Sequence, residues 1–151
     1  MELYGHGGQG GNGQLGIGNL TSRSSPVQVG ALTSWYKISG GNESGTFATK
    51  TDGTLWVWGF NGQYQLGTGT TTNYSSPKQL GALTTWSKIT GGWLQTIAIK
   101  TDGTLWSWGR SNYGQLGLGN TTAYSSPKQV GSSAGWLNVA AGSYFTLAIA
   151  S

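Results

Sequence analysis

Few residues in this chain could perform acid, base or metal chemistry. The acids are Glu2, Glu43, Asp52 and Asp102, the one histidine is His6, and cysteine is absent. Disulfides, thiolate metal sites and cysteine nucleophiles are therefore excluded. Asp52-Gly53 and Asp102-Gly103 each lie between β-rich runs. Such a pair predicts a type I′ hairpin turn, which explains both acids without catalysis. Glu2 and Glu43 have no counterparts elsewhere, and paired carboxylate chemistry would require them to converge. A single histidine with scattered acids does not make a metal site. Gly5-His6-Gly7-Gly8-Gln9-Gly10 matches a phosphate-binding string only by its letters, because a turn-rich stretch follows it instead of a helix. No catalytic residue, metal or cofactor is expected, and the chain reads as a non-enzyme.

The basic and aromatic residues recur. Lys37 matches Lys88, Lys50 matches Lys100, and Lys78 matches Lys128. In a closed ring they would form circlets able to meet phosphates or acidic surfaces. The plainer reading, adopted here, is of solvated lysines on a low-charge protein, with no nucleic-acid partner. Trp56 and Trp58 alternate along a strand, as do Trp106 and Trp108, while Trp35, Trp86 and Trp136 recur at one place. These patterns predict packing between repeated units. Trp93, Leu94, Tyr144 and Phe145 instead follow Gly-Gly and Ala-Gly turns, where the first unit has Asn42, Glu43 and Ser44. This varied aromatic loop is the candidate surface for a protein or glycan partner.

The elements that must position these residues follow from composition and period. Of 151 residues 28 are glycine and only 8% are charged, yet there are eight Trp and seven Tyr. Glycine disfavours helices, and the aromatics supply surface to bury, so an all-β domain with tight turns is predicted. Gln-Leu-Gly recurs at Leu15, Leu66 and Leu116, Ser-Ser-Pro at Pro26, Pro77 and Pro127, and the lone Trp at 35, 86 and 136. The period is about fifty residues, giving units near 3–54, 55–104 and 105–151 in one domain spanning 1–151, without linker. Leu55-Trp56-Val57-Trp58-Gly59 matches Leu105-Trp106-Ser107-Trp108-Gly109, and Leu3-Tyr4-Gly5-His6-Gly7 is its degraded first copy. That alignment sets His6 at the position of Trp58 and Trp108, a substituted packing site, with a pH-sensitive residue at a seam as the sharper alternative. Four short strands per unit, with Pro opening one of them, describe a propeller blade.

The pattern Leu-Trp-x-Trp-Gly, Gly-Gln-Leu-Gly-x-Gly, Ser-Ser-Pro, Trp-x-x-Ile, Gly-Gly, Thr-x-Ala-Ile, Asp-Gly-Thr resembles the regulator of chromosome condensation repeat. The resemblance implies blades of a seven-bladed β-propeller. It also implies a histidine before the Thr-x-Ala strand, where this chain has Gly45, Gln95 and Phe145.

The third unit stops after Phe145-Thr146-Leu147-Ala148-Ile149-Ala150-Ser151, and the first begins with the strand that should come next. Three four-stranded blades form an arc, short of the about 4–8 blades of a closed ring. Closure between chains is expected, with Thr146, Leu147, Ala148 and Ile149 of one copy meeting Leu3, Tyr4 and His6 of another. A six-bladed homodimer is favoured, with a trimer or another propeller-forming chain as alternatives. The N-terminus has no signal-peptide pattern, and no apolar run approaches the ~18 residues of a membrane span. The composition suits a structural component of a bacterial or phage particle surface. An intracellular adaptor or regulator binding protein or nucleic acid through a ring face is the alternative.

Overall fold

The computed structural model describes residues 5–30, 34–42 and 45–151, with side-chain detail from residue 7 onward. Leu3 and Tyr4 of the expected seam, and Glu2 and Glu43, lie outside the described residues. Twelve strands follow in order: β1 Gly5–Gly8, β2 Arg23–Gln28, β3 Trp35–Gly40, β4 Gly45–Lys50, β5 Leu55–Gly59, β6 Tyr74–Gln79, β7 Trp86–Gly91, β8 Gln95–Lys100, β9 Leu105–Gly109, β10 Tyr124–Gln129, β11 Trp136–Ala141 and β12 Thr146–Ala150. Among the described residues no helix is long and apolar enough to cross a membrane.

The strands form two complete antiparallel blades, β3-β4-β5-β6 and β7-β8-β9-β10, flanked by two half-blades, β1-β2 and β11-β12. Blade boundaries therefore cut the sequence units in the middle. Strands β4 (Gly-Thr-Phe-Ala-Thr-Lys) and β8 (Gln-Thr-Ile-Ala-Ile-Lys) are buried at every residue. Each is paired on both edges and covered on both faces, so neither needs polar alternation. The core lies between blades. Phe47, Leu55, Val57 and Leu66 meet Trp86, Ala98 and Trp108 across one junction. Val29 meets Trp35, Ala48 and Trp58 across the preceding one. At the next junction Ile97 and Ile99 meet Val139, Ala141 and Ala148. Each fully buried Leu, Ile, Val or Phe among them stabilises the fold by about 1.5–3 kcal/mol.

Three local expectations are corrected. Ser-Ser-Pro does not open its strand: Pro77 and Pro127 sit within β6 and β10, which begin at Tyr74 and Tyr124. A register shift spans each proline's neighbourhood on an outer strand, so its missing N–H interrupts no regular ladder. The Asp-Gly turns are not type I′, because φ is positive at Gly53 and Gly103 (78° each) but not at the aspartates. Gly53 N–H donates to Lys50 C=O and Lys50 N–H to Thr54 C=O, which makes a three-residue loop with a glycine bulge.

The third correction concerns the first unit. His6 lies opposite Val27 and Gly8 opposite Arg23, whereas Val57 lies opposite Lys78 and Gly59 opposite Tyr74. Since Val27 and Lys78 are equivalent, His6 stands at the place of Val57, and Gly7 stands at that of Trp58. The positive-φ glycine ending the strand fixes this frame, at Gly8 (110°), Gly59 (96°) and Gly109 (95°). In this frame seven positions separate the glycine from the Leu of Gln-Leu-Gly in every unit, Gly8 to Leu15, Gly59 to Leu66 and Gly109 to Leu116.

Candidate functional site

The repeated motifs converge on a fastening between successive blades. Trp58 Nε1 and Thr46 Oγ1 both donate to the main-chain carbonyl of Gln14, at 2.9 Å each. One blade later, Trp108 Nε1 and Thr96 Oγ1 donate to the Gln65 carbonyl, at 2.9 and 2.7 Å. The Gln side chain holds its own loop, with its Oε1 accepting from Asn12, Gln63 or Tyr113 N–H in the three units. The next glycine, Gly16 or Gly67, lies beneath the indole, and a Cβ on either would fall 2.7 Å from the tryptophan Nε1. Two donors from one blade thus meet one acceptor on the preceding blade. Sequence reading assigned the tryptophans to packing and gave the threonine no role. The fixed spacing of Thr-x-Ala from Gln-Leu-Gly was the available signal.

The third fastening is partial. Thr146 Oγ1 donates to the Gln115 carbonyl at 2.9 Å, but Gly117 is exposed where Gly16 and Gly67 are buried. Strand β12 differs from its counterparts in the same way: Leu147 is 59% and Ile149 62% exposed, against 2% and 3% for Ile97 and Ile99. Thr146, Ala148 and Ala150 complete this strand, which pairs with β11 alone among the described residues. β1 and β12 belong to separate sheets.

Both aspartates serve their turns. Asp52 Oδ1 accepts from the Thr54 N–H (2.9 Å) and hydroxyl (2.6 Å), and that hydroxyl in turn accepts from Trp56 Nε1 (2.9 Å). Asp102, Thr104 and Trp106 repeat the chain at 2.9, 2.6 and 2.8 Å. Hydrogen bonds from the threonines, first the side chain and then the backbone, hold both carboxyls below their usual range. Two of the lysines read as solvated are not. Lys50 lies 3.7 Å from the Trp56 ring centre and Lys100 3.6 Å from that of Trp106, and both are buried. Desolvation lowers their pKa, opposed by the neighbouring aspartate. The aliphatic stem and cation–π attraction explain the placement. Lys37 and Lys88 line a shallow groove with Asn138, and Lys88 Nζ donates to the Leu137 carbonyl.

Antiparallel order sets the β7–β8, β9–β10 and β11–β12 connections at one end of the blades, where a cluster of rings gathers. Trp93 and Tyr144 meet edge to face at 5.0 Å between ring centres, and Tyr113 meets Tyr144 at 5.2 Å. Arg110 Cζ lies 5.5 Å from the Trp93 ring centre. Tyr113 (69%) and Tyr144 (47%) are exposed, and so is Phe145 beside them. Leu94 is corrected: it is buried and offers no side chain to this surface, while its carbonyl accepts from Arg110 N–H. Arg110 and Tyr113 were missed because they come from the β9–β10 connection, distant in sequence from the varied turn.

The Regulator of chromosome condensation (RCC1) repeat matches residues 2–47, 52–99 and 102–149, and a second RCC1 repeat profile matches 86–115. The chain belongs to the RCC1 repeat family. Among solved structures it is similar to Prp20p of Saccharomyces cerevisiae, described with its binding to Gsp1p and histones, at 17% identity and TM-score 0.81 over 92% of this chain. It is also similar to yeast RCC1 (Prp20) bound to Kap60, at 24% identity and TM-score 0.82 over 98% of this chain. Human WBSCR16 follows at 19% identity and TM-score 0.56, over 97% of this chain and 53% of its own. The chain spans about 37% of the length of Prp20. At the position where RCC1 repeats are expected to carry histidine, Gln95 supplies the buried polar link. Its Nε2 donates to Gly142 C=O of the next blade at 2.8 Å and its Oε1 accepts from Leu94 N–H. Gly45 has no side chain to do this, and Phe145 turns to solvent.

Proposed function

We propose that this chain is a non-enzymatic protein-binding module, a propeller segment whose open β12 edge accepts a further β-strand. The carrying observation is the contrast between β12 and its buried counterparts β4 and β8. An unpaired strand edge bearing exposed Leu147 and Ile149 invites strand addition. Burying what remains exposed of these two side chains offers about 2–4 kcal/mol before the costs of association. A second copy, which gives six blades, is one supplier of that strand. The Trp93–Tyr144–Tyr113–Arg110 cluster supplies a second surface on a blade end, of the residue types that anchor protein interfaces. Prp20 binds Gsp1p, histones and Kap60, all proteins, which agrees with this reading. The charge-poor, glycine- and serine-rich composition, together with the repeat resemblance, suits a place on a bacterial or phage particle surface.

The test is amide exchange along β12 in the chain alone and with strand peptides reproducing residues 1–9 or 101–109. Protection of β12 by either peptide supports the reading. Exchange left unchanged by both refutes it.

A further inference from the structure

We propose that the ring cluster on the blade end binds a carboxylated sugar, a uronic-acid unit of a glycan, with Arg110 taking the carboxylate and Tyr113 the sugar ring. This ligand belongs to the second surface described above, and assigning it rests on the reading of that cluster as a binding surface.

The residues concerned depart from the repeat together. Counted from the positive-φ glycine that ends each strand, Arg110 stands where the other units have Gln9 and Phe60. Asn112 replaces Gly11 and Gly62, and Tyr113 replaces Asn12 and Gln63. Trp93 stands at the place of Glu43 and Ser143. Two of these changes are linked. A Cβ on Gly62 would run into the Phe60 ring, and Arg110 in place of that ring leaves room for the Asn112 side chain. The blade β3-β4-β5-β6 forms without any of the four, so the fold does not require them. All four sit on the β7–β8 and β9–β10 connections of a complete blade.

The cluster holds a guanidinium ready for an anion. Arg110 Cζ lies 5.5 Å from the Trp93 ring centre. A guanidinium only donates, so the Asn112 amide turns its oxygen towards it and accepts from Nε at 3.3 Å and Nη2 at 3.1 Å. Two of the five guanidinium N–H groups are thus engaged, and three remain for a ligand. The described carboxylates, Asp52 and Asp102, lie in the β4–β5 and β8–β9 turns at the opposite end of the blades. No acid among the described residues neutralises Arg110. A fixed guanidinium without a counter-charge selects a carboxylate, which its planar fork matches.

The rings decide what carries that carboxylate. Trp93, Tyr144 and Tyr113 meet edge to face at 5.0 and 5.2 Å, so each fills the space beside the next. The anchor side chain of a protein partner seats in a pocket that closes round it. This cluster instead offers the open ring of Tyr113, 69% exposed, next to the exposed amide of Asn112. A pyranose matches that surface: its C–H face lies on the aromatic ring while its hydroxyls and carboxylate reach the amide and the guanidinium. Mutual packing holds the rings in place before binding, which lowers the entropy cost of ordering them.

The test is an NMR titration of the whole chain with tetragalacturonate, beside maltotetraose as a neutral sugar and tetraglutamate as an acidic peptide. Tetragalacturonate is expected to bind at least about ten-fold tighter than either and to shift the side-chain resonances of Arg110 and Trp93. Arg110→Gln should lower its affinity to that of maltotetraose. Tyr113→Ala should weaken both sugars by about five-fold or more. Unmoved indole resonances of Trp58 and Trp108 report an intact fold in both variants. Tetraglutamate binding as tightly as tetragalacturonate overturns the sugar assignment and leaves a protein-binding surface standing. Absence of tetragalacturonate binding, or affinity indifferent to Arg110→Gln, overturns the assignment outright. The strand-accepting edge stands or falls separately, by amide exchange in β12.

Discussion

Removing both donors from the Gln65 carbonyl should cost more than the sum of removing each. Thr96 and Trp108 are both fully buried, and their Oγ1 and Nε1 lie 2.7 and 2.9 Å from that oxygen. Thr96→Val keeps shape and deletes one hydrogen bond, about 1 kcal/mol. Trp108→Phe deletes the other and part of a ring, for about 2–3 kcal/mol in all. In either single variant the carbonyl keeps one donor. In the double variant it keeps neither, and the desolvation cost of a buried unpaired acceptor, about 1–3 kcal/mol, falls due only then. The coupling energy should therefore reach about 1 kcal/mol or more, above the ~0.3–0.5 kcal/mol scatter of independent sites. Urea unfolding of the four proteins, with unchanged m-values, measures it. Additive losses would refute the shared-acceptor account and reduce the tryptophan to packing.

Three further outcomes are expected. Gly67→Ala should destabilise by at least about 1 kcal/mol more than Gly81→Ala, checked by thermal unfolding. Both have positive φ, but only Gly67 faces an indole at 2.7 Å. Gln95→Ala should cost about 1–3 kcal/mol and speed amide exchange in β11 and β12 more than in β3 to β6, because the lost bond ties Gly142 to the preceding blade. Asp52 and Asp102 have folded pKa values below their unfolded ones, so their contribution is present above the unfolded value of about 4 and is lost as pH falls through the folded values. Asn at both positions should lower stability at neutral pH and flatten that acidic limb in pH-dependent denaturation.

The repeat period, the all-β class and the positions of the turns were legible because each is written locally, in Gln-Leu-Gly, Asp-Gly and the alternating tryptophans. What escaped was non-local. Thr96 looks like an ordinary strand residue until Gln65, thirty-one positions away, is seen to receive its hydroxyl. Lys100 reads as surface charge because nothing in the sequence reports that its ammonium lies over the rings of Trp86 and Trp106. The one-residue slip of His6 escaped for another reason. Glycines at 5, 7 and 8 align equally well by letter, and only the backbone conformation of Gly8 separates them. Likewise Arg110 and Tyr113 join Trp93 and Tyr144 through the meeting of two connections, which no single stretch of sequence reveals.

Every fastening runs one way: the carbonyl belongs to the earlier blade, and the hydroxyl and indole to the later one. An array built on this rule has a socket end and a plug end. Two sockets cannot mate, nor can two plugs. Stacking is therefore vectorial, and a mirror-wise, face-to-face union of two arcs through this joint is forbidden by its chemistry.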